Sequence, residues 1–150
     1  MAGSFLVRDI IPADRAQWTP LWQGYLDFYE MSGLSPEITE NTWRRFLDPS
    51  EPLHALVAEA DGKLLGLVHY VFHRNTWCLE DVCYLEDLFT AASARGRGVG
   101  RTLIEAVYAR AVERKASRVY WLTQETNKTA QALYDKLASR TGFIQYRKNF

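Results

Sequence analysis

The chain has 150 residues and a mass of 17.3 kDa, which fits one domain and leaves no room for a separate substrate domain or a long linker. With 47% hydrophobic and 24% charged residues and a mean hydropathy of −0.26, it can bury a sizeable core, which excludes a disordered or membrane-spanning chain. Eighteen basic residues balance eighteen acidic ones, so no global positive field draws nucleic acid or an anionic membrane, and any anion site must be local.

The expected elements alternate along the chain, which favours a mixed α/β layer fold. Phe5 to Ile10 is a short apolar strand, and Pro12 and Asp14 suit the entry to a helix. Trp18, Leu21, Trp22, Tyr25, Phe28 and Tyr29 then recur at helical spacing, with Pro20 marking a start or a kink. A second helix spans Glu37 to Leu47, closed by Pro49 and Pro52. The runs His54–Ala60 and Leu64–Phe72 flank Asp61-Gly62, a pair suited to a tight hairpin turn, so these strands are antiparallel neighbours. Val82–Thr90 reads as a long strand leading into Arg95-Gly96-Arg97-Gly98-Val99-Gly100. Val99, Leu103, Val107 and Ala111 stripe the next helix. A strand follows over Arg118–Thr123, then a last helix marked by Ala130, Leu133, Tyr134 and Leu137, and a final strand near Phe143–Tyr146.

Cys78 and Cys83 are too few for a disulfide framework and read as free thiols in a reducing cytosol. Met1–Phe5 lacks the basic start and apolar run of a signal peptide, so the expectation is a cytoplasmic protein. His54, His69 and His73 are too scattered to suggest a metal site. The five tryptophans and eight tyrosines suit a core, but equally a pocket for a small amine or a flat cofactor, and composition does not choose.

The strand, glycine turn and helix between Tyr84 and Arg114 carry the most chemistry. Glycines 96, 98 and 100 let the backbone approach a ligand, while the helix start offers unpaired N–H groups and the positive end of its dipole. This is an anion cradle, and Arg95, Arg97 and Arg101 concentrate charge there. A nucleoside-triphosphate loop would need Lys-Ser/Thr after its last glycine, whereas Gly100 is followed by Arg101-Thr102. A dinucleotide fold would carry its glycines in the first βαβ unit, whereas these lie two-thirds along the chain. The remaining anion is the pyrophosphate of coenzyme A, beside the simpler alternatives of a glycine turn that merely starts a helix or an arginine-glycine run that touches RNA.

Leu85-Glu86-Asp87-Leu88-Phe89 through Arg95-Gly96-Arg97-Gly98-Val99-Gly100 resembles the acetyl-CoA signature of the GNAT N-acetyltransferases, Gln/Arg-x-x-Gly-x-Gly/Ala. The likeness extends through Tyr120-Trp121, Asn127, Ala130, Ala132, Leu133 and Tyr134, about two-thirds of the chain. It implies a GNAT fold: a central, mixed, mostly antiparallel sheet, splayed at the acetyl-CoA site, with helices on both faces. The implied activity is direct acetyl transfer from acetyl-CoA to a primary amine of a small molecule, of polyamine or amino-acid type, with no metal. Acetylation of protein lysines and a non-catalytic acetyl-CoA-binding module are the alternatives.

By this resemblance the loop Arg95, Gly96, Arg97, Gly98, Val99, Gly100 and Arg101 holds the pyrophosphate. The strand backbone at Leu88, Phe89 and Thr90 holds the pantetheine and polarises the thioester carbonyl, with a local bulge freeing its amides. Asn127, otherwise a good helix N-cap, also bonds the pantetheine arm. Tyr134, by pattern alone a half-buried core residue, falls on the position of the general acid for the departing thiolate. Glu86 falls on the base-like position, with a structural acid as the alternative. Strand alternation puts Glu86 and Leu88 on one face and Asp87 and Phe89 on the other, so only one acid faces the acceptor. Trp22, Tyr25 and Tyr29 share a helix face and offer an aromatic cation pocket or simple core packing.

Two stretches depart from the family pattern. Ala91-Ala92-Ser93-Ala94 is a bland approach to the glycines, and Ala138-Ser139-Arg140 stands where a glycine is common after the tyrosine helix. A chain ending soon after one C-terminal strand leaves a sheet edge exposed, so a homodimer that completes or exchanges edges is expected.

Overall fold

The Asp61-Gly62 turn closes the expected hairpin between β2 (Leu53–Ala60) and β3 (Lys63–His73). β1 (Leu6–Asp9) pairs antiparallel with β2, and β4 (Val82–Thr90) pairs antiparallel with β3. The computed structural model describes residues 4–150. From β4 the chain passes through a 3-10 turn and the glycine loop into α3 (Val99–Glu113), and returns as β5 (Val119–Tyr120), parallel to β4. The five strands lie in sequence order in one open sheet, mixed and mostly antiparallel as expected.

Helices cover both faces because each strand alternates its side chains between two cores. On one face α1 (Arg15–Phe28) and α2 (Pro36–Phe46) pack Trp18, Trp22 and Trp43 against Val57, Leu64 and Leu67. On the other, α3 buries Val99, Leu103, Ile104 and Val107 against Leu56, Val68 and Leu85. α4 (Lys128–Leu137) adds Leu133, Tyr134 and Leu137 to the edge of that second core. Each fully buried aliphatic side chain contributes about 1.5–3 kcal/mol. Gly66 sets the spacing at the junction: a Cβ there would lie 2.8 Å from the Phe89 carbonyl oxygen and 3.0 Å from Val99 Cγ1. Its bare backbone therefore brings β3, the end of β4 and the start of α3 together.

The splay is visible in the pairing. β4 meets β5 only at Cys83–Val119 and Tyr84–Tyr120, so Leu85–Thr90 has no neighbouring strand on that side among the described residues. Three expectations need correction. The strand expected over Arg118–Thr123 is only Val119–Tyr120, and Phe143–Tyr146 forms no strand. Phe143 and Ile144 are adjacent apolar residues, so no single face of an extended segment could bury both, and β5 is too short to template a ladder. Pro20 also does not start α1: the helix begins five residues earlier, and Thr19 Oγ1 donates to the Arg15 carbonyl at 2.9 Å just before the proline.

Candidate active site

The glycine loop is built from backbone. Gly96 and Gly98 take φ of 80° and 77°, left-handed values that cost other residues about 1–2 kcal/mol. Gly98 is the N-cap of α3 and supplies no side-chain bond, so the first amides of the helix, at Val99, Gly100 and Arg101, keep their N–H groups for an outside acceptor. A Cβ on Gly100 would touch only Thr90 Oγ1 and Leu133 Cδ2, both at 3.9 Å, so internal packing does not demand a glycine here. Its effect is to leave the backbone bare. Val99 itself is buried, and Arg101 is bonded to Glu105 at 2.9 Å on the helix surface. Arg95 is exposed and has no ion pair among the described residues. A cradle of bare amides with a positive dipole end fits a pyrophosphate.

Immediately upstream, β4 carries an irregularity. His69 pairs with Asp87 and Tyr70 with Leu85, so Glu86 is the extra residue of a bulge. The bulge therefore sits two residues before Leu88, while Leu88, Phe89 and Thr90 stay in register with Val68, Leu67 and Gly66. Their side chains serve packing: Leu88 joins the α3 core and Phe89 the α1 core, and the backbone faces the gap where β5 is missing.

The bulge also overturns the simple alternation of the two acids. Glu86 and Asp87 line the same cleft, of about 410 Å³, together with Trp22, Tyr25, Tyr29 and His69. A bulge interrupts the pleat, and successive side chains no longer point to opposite faces. Glu86 is exposed to this cleft by surface area, yet protein surrounds it on several sides. That partial desolvation, with the Asp87 charge second, raises its carboxyl above the usual range.

Asp87 is held from behind. Trp18 Nε1 donates to His69 Nε2 at 3.1 Å, so the proton of a neutral imidazole is on Nδ1, which donates to Asp87 Oδ2 at 2.9 Å. Trp18 and His69 are both buried, and this chain satisfies their polar atoms inside an aromatic core. Trp22 stacks on Tyr25 at 5.3 Å between centroids, and Tyr25 meets Tyr29 at 4.9 Å, giving a continuous aromatic wall. The wall has two duties: Trp22 Nε1 also donates to Thr39 Oγ1 at 3.1 Å, which fixes α1 on α2. Burial, then the Asp87 charge, pushes the Tyr25 phenol far up, so it remains a neutral hydroxyl beside the carboxylate.

From the α4 side, Tyr134 stands edge-on to Trp121 at 5.4 Å. Its phenol is pushed up first by burial and then by Tyr29, which brings the α4 tyrosine and the aromatic wall of α1 into one neighbourhood. The proton is thereby held on the oxygen across the neutral range. Asn127 caps α4, its side chain accepting from the Ala130 amide at 3.3 Å.

A family model described as the acetyltransferase (GNAT) family matches residues 18–138. The chain belongs to the GNAT acetyltransferases. It is 39% identical over 146 residues to the D-amino-acid N-acetyltransferase HPA3 of Saccharomyces cerevisiae, covering 96% of this chain and 90% of that protein. Among solved structures, a probable acetyltransferase superposes with a TM-score of 0.84 at 25% identity, covering 97% of each chain. AAC(6')-Iy, solved with a coenzyme A bisubstrate analogue, superposes with a TM-score of 0.81 at 22% identity over 98% of this chain and 99% of that one. The protein is thus a GNAT N-acetyltransferase, and GNAT enzymes use acetyl-CoA.

Three residues of this cleft are brought together by the fold alone: His69, Asp87 as a partner of Glu86, and Arg147. His69 left one signal, a polar residue in the inward register of an apolar strand, which a buried site must satisfy. The bulge at Glu86 and the return of Arg147 from the chain end have no local signature. Among the described residues no group of acidic, histidine and cysteine side chains suits a metal ion, and no helix is long and apolar enough to cross a membrane. Both cysteines are free, and burial pushes the Cys83 thiol up to about 12, which keeps it un-ionised.

Proposed function

We propose that this enzyme transfers the acetyl group of acetyl-CoA directly to the primary amine of a small molecule, of amino-acid or polyamine type. The observation that carries the reading is the convergence of Glu86 and Asp87 on an aromatic cleft, beside the strand that leads into the glycine loop. Acetyl-CoA supplies an activated acetyl group. The loop from Arg95 to Arg101, chiefly through the amides after Gly98, would hold its pyrophosphate, with the β4 backbone at Leu88–Thr90 and Asn127 along the pantetheine.

The side chains divide the remaining work. An amine is mostly protonated at neutral pH and must lose a proton to become a nucleophile; Glu86, with its raised pKa, accepts it directly or through water. Asp87, fixed by His69, and the faces of Trp22, Tyr25 and Tyr29 attract and orient the ammonium form. Tyr134 keeps its proton and offers it to the sulfur of the leaving thiolate. The free thiols suit the reducing cytoplasm in which this reading places the enzyme.

A homodimer belongs to the same reading. The sheet ends at the two-residue β5, and Phe143, Ile144 and Tyr146 stand exposed beyond the last helix, where a second copy would cover them.

The test is radiolabelled acetyl transfer to a panel of polyamines, D- and L-amino acids, aminoglycosides and histone peptides. Turnover of a small amine is the expected result. Turnover of peptides alone would make the enzyme a protein lysine acetyltransferase, and tight acetyl-CoA binding without turnover would make it a binding module.

A further inference from the structure

The acceptor cleft holds opposite charges that do not pair. Glu86 and Asp87 line it, and Arg147 is the one arginine or lysine that lines it with them among the described residues. Arg147 comes from the strandless segment after α4, and its side chain is exposed. It forms no ion pair with either acid; among the described residues its guanidinium donates only to Gln145 Oε1, at a long 3.4 Å. Asp87 is meanwhile engaged by His69 Nδ1.

A cleft with carboxylates and a separate guanidinium matches a molecule that carries an ammonium and a carboxylate. An arginine forms two parallel hydrogen bonds to a carboxylate, geometry that an ammonium ligand cannot use. A polyamine would instead bring a second cation towards Arg147 and be repelled. From this placement we infer that Arg147 is the specificity-determining residue that binds the carboxylate of an amino-acid acceptor, and so selects amino acids over polyamines. The inference rests on the small-amine reading above and deepens it by naming the acceptor class. The yeast relative whose name specifies D-amino acids is consistent with that class.

The experiment compares kcat/KM for D- and L-phenylalanine, 2-phenylethylamine and spermidine in the wild type, Arg147→Gln, Arg147→Lys and Arg147→Glu. The readout is the ratio of amino acid, whichever enantiomer reacts, to the amine that lacks only the carboxylate. Losing a charge-assisted hydrogen bond predicts that Arg147→Gln lowers this ratio about tenfold to a hundredfold. Arg147→Lys restores part of it, and Arg147→Glu shifts preference toward spermidine. The position lies outside helices and strands, and circular dichroism with acetyl-CoA affinity checks that each variant is folded. An unchanged ratio, with rates on all substrates falling together, would overturn the carboxylate role while leaving the small-amine reading intact. A wild-type enzyme that prefers the amines to the amino acids would overturn it too. Wild-type turnover of no small amine at all would defeat the parent reading, and this inference with it.

Discussion

The glycine loop follows the end of β4 and the aromatic cleft opens beside that strand, yet they are built from different materials. The loop uses backbone: positive φ at Gly96 and Gly98, an uncapped helix start, and no side chain at Gly100. The cleft uses side chains contributed by α1, α2, β2, β3, β4 and the chain end, with the Trp18–His69–Asp87 chain of hydrogen bonds behind it. A backbone site can serve one unvarying ligand on many scaffolds, whereas a side-chain site can be rewritten residue by residue. If the loop holds the acyl donor and the cleft the acceptor, as proposed, that difference lets the donor stay fixed while the acceptor changes.

Substitutions can separate the two regions. The largest expected effect lies between them: Tyr134→Phe should lower kcat by about a hundredfold or more with little change in acetyl-CoA affinity, because the role proposed for Tyr134 is to give up a proton. Stopped-flow transfer assays beside isothermal titration would check this, and an unchanged kcat would return Tyr134 to a packing role.

Glu86→Gln is next, and it tests the cleft alone. The acid limb of the kcat/KM profile should lie above the ordinary glutamate pKa of about 4.3, because the proposed base acts in its ionised form and its pKa is raised. The Gln variant should lose about tenfold to a hundredfold in rate and lose that limb. Stability has the opposite sign. A raised folded-state pKa means that the native protein holds the proton more tightly than the unfolded chain, so the carboxyl favours folding at low pH and that contribution is lost as pH rises through the raised value. Glu86→Gln should therefore raise Tm near neutral pH, with the gain shrinking as pH falls below the raised pKa. A Tm difference of reversed sign would refute the desolvated-carboxylate account.

His69→Leu probes the support behind the cleft. It strands the Trp18 N–H in a buried place, at a cost of about 1–3 kcal/mol in chemical denaturation, and loosens Asp87. The acceptor KM should rise while acetyl-CoA affinity stays near wild type; equal losses of both would mean that the two regions are not separable. Gly98→Ala has the mirror expectation: about 1 kcal/mol of stability from left-handed strain, and weaker acetyl-CoA binding with acceptor KM nearly unchanged. The smallest signal is oligomeric, a dimer mass by light scattering, and a monomer across a wide concentration range would remove the proposed homodimer.

The same contrast explains what could be read in the sequence. The hairpin, the long strand and the glycine loop are contiguous, so their periodicity and spacing stand in one stretch of chain. α1, α3 and α4 follow from local stripes such as Val99, Leu103, Val107 and Ala111. The cleft was legible only in part. Trp22, Tyr25 and Tyr29 share a helix face in the sequence, but His69 and Arg147 reach them from distant positions. The Glu86 bulge defeats alternation because an extra residue in a ladder is set by pairing with β3 and not by its own segment. The missing strand at Phe143–Tyr146 is a similar case, since a strand exists only where a partner edge receives it.

The most direct test is an electron-density map of the enzyme with a bisubstrate analogue that joins coenzyme A to an amino acid. The account predicts the pyrophosphate on the amides after Gly98, the amino-acid nitrogen beside Glu86 and Asp87, and the carboxylate on Arg147. Coenzyme A seated elsewhere, or an amino acid bound away from the two acids, would contradict it.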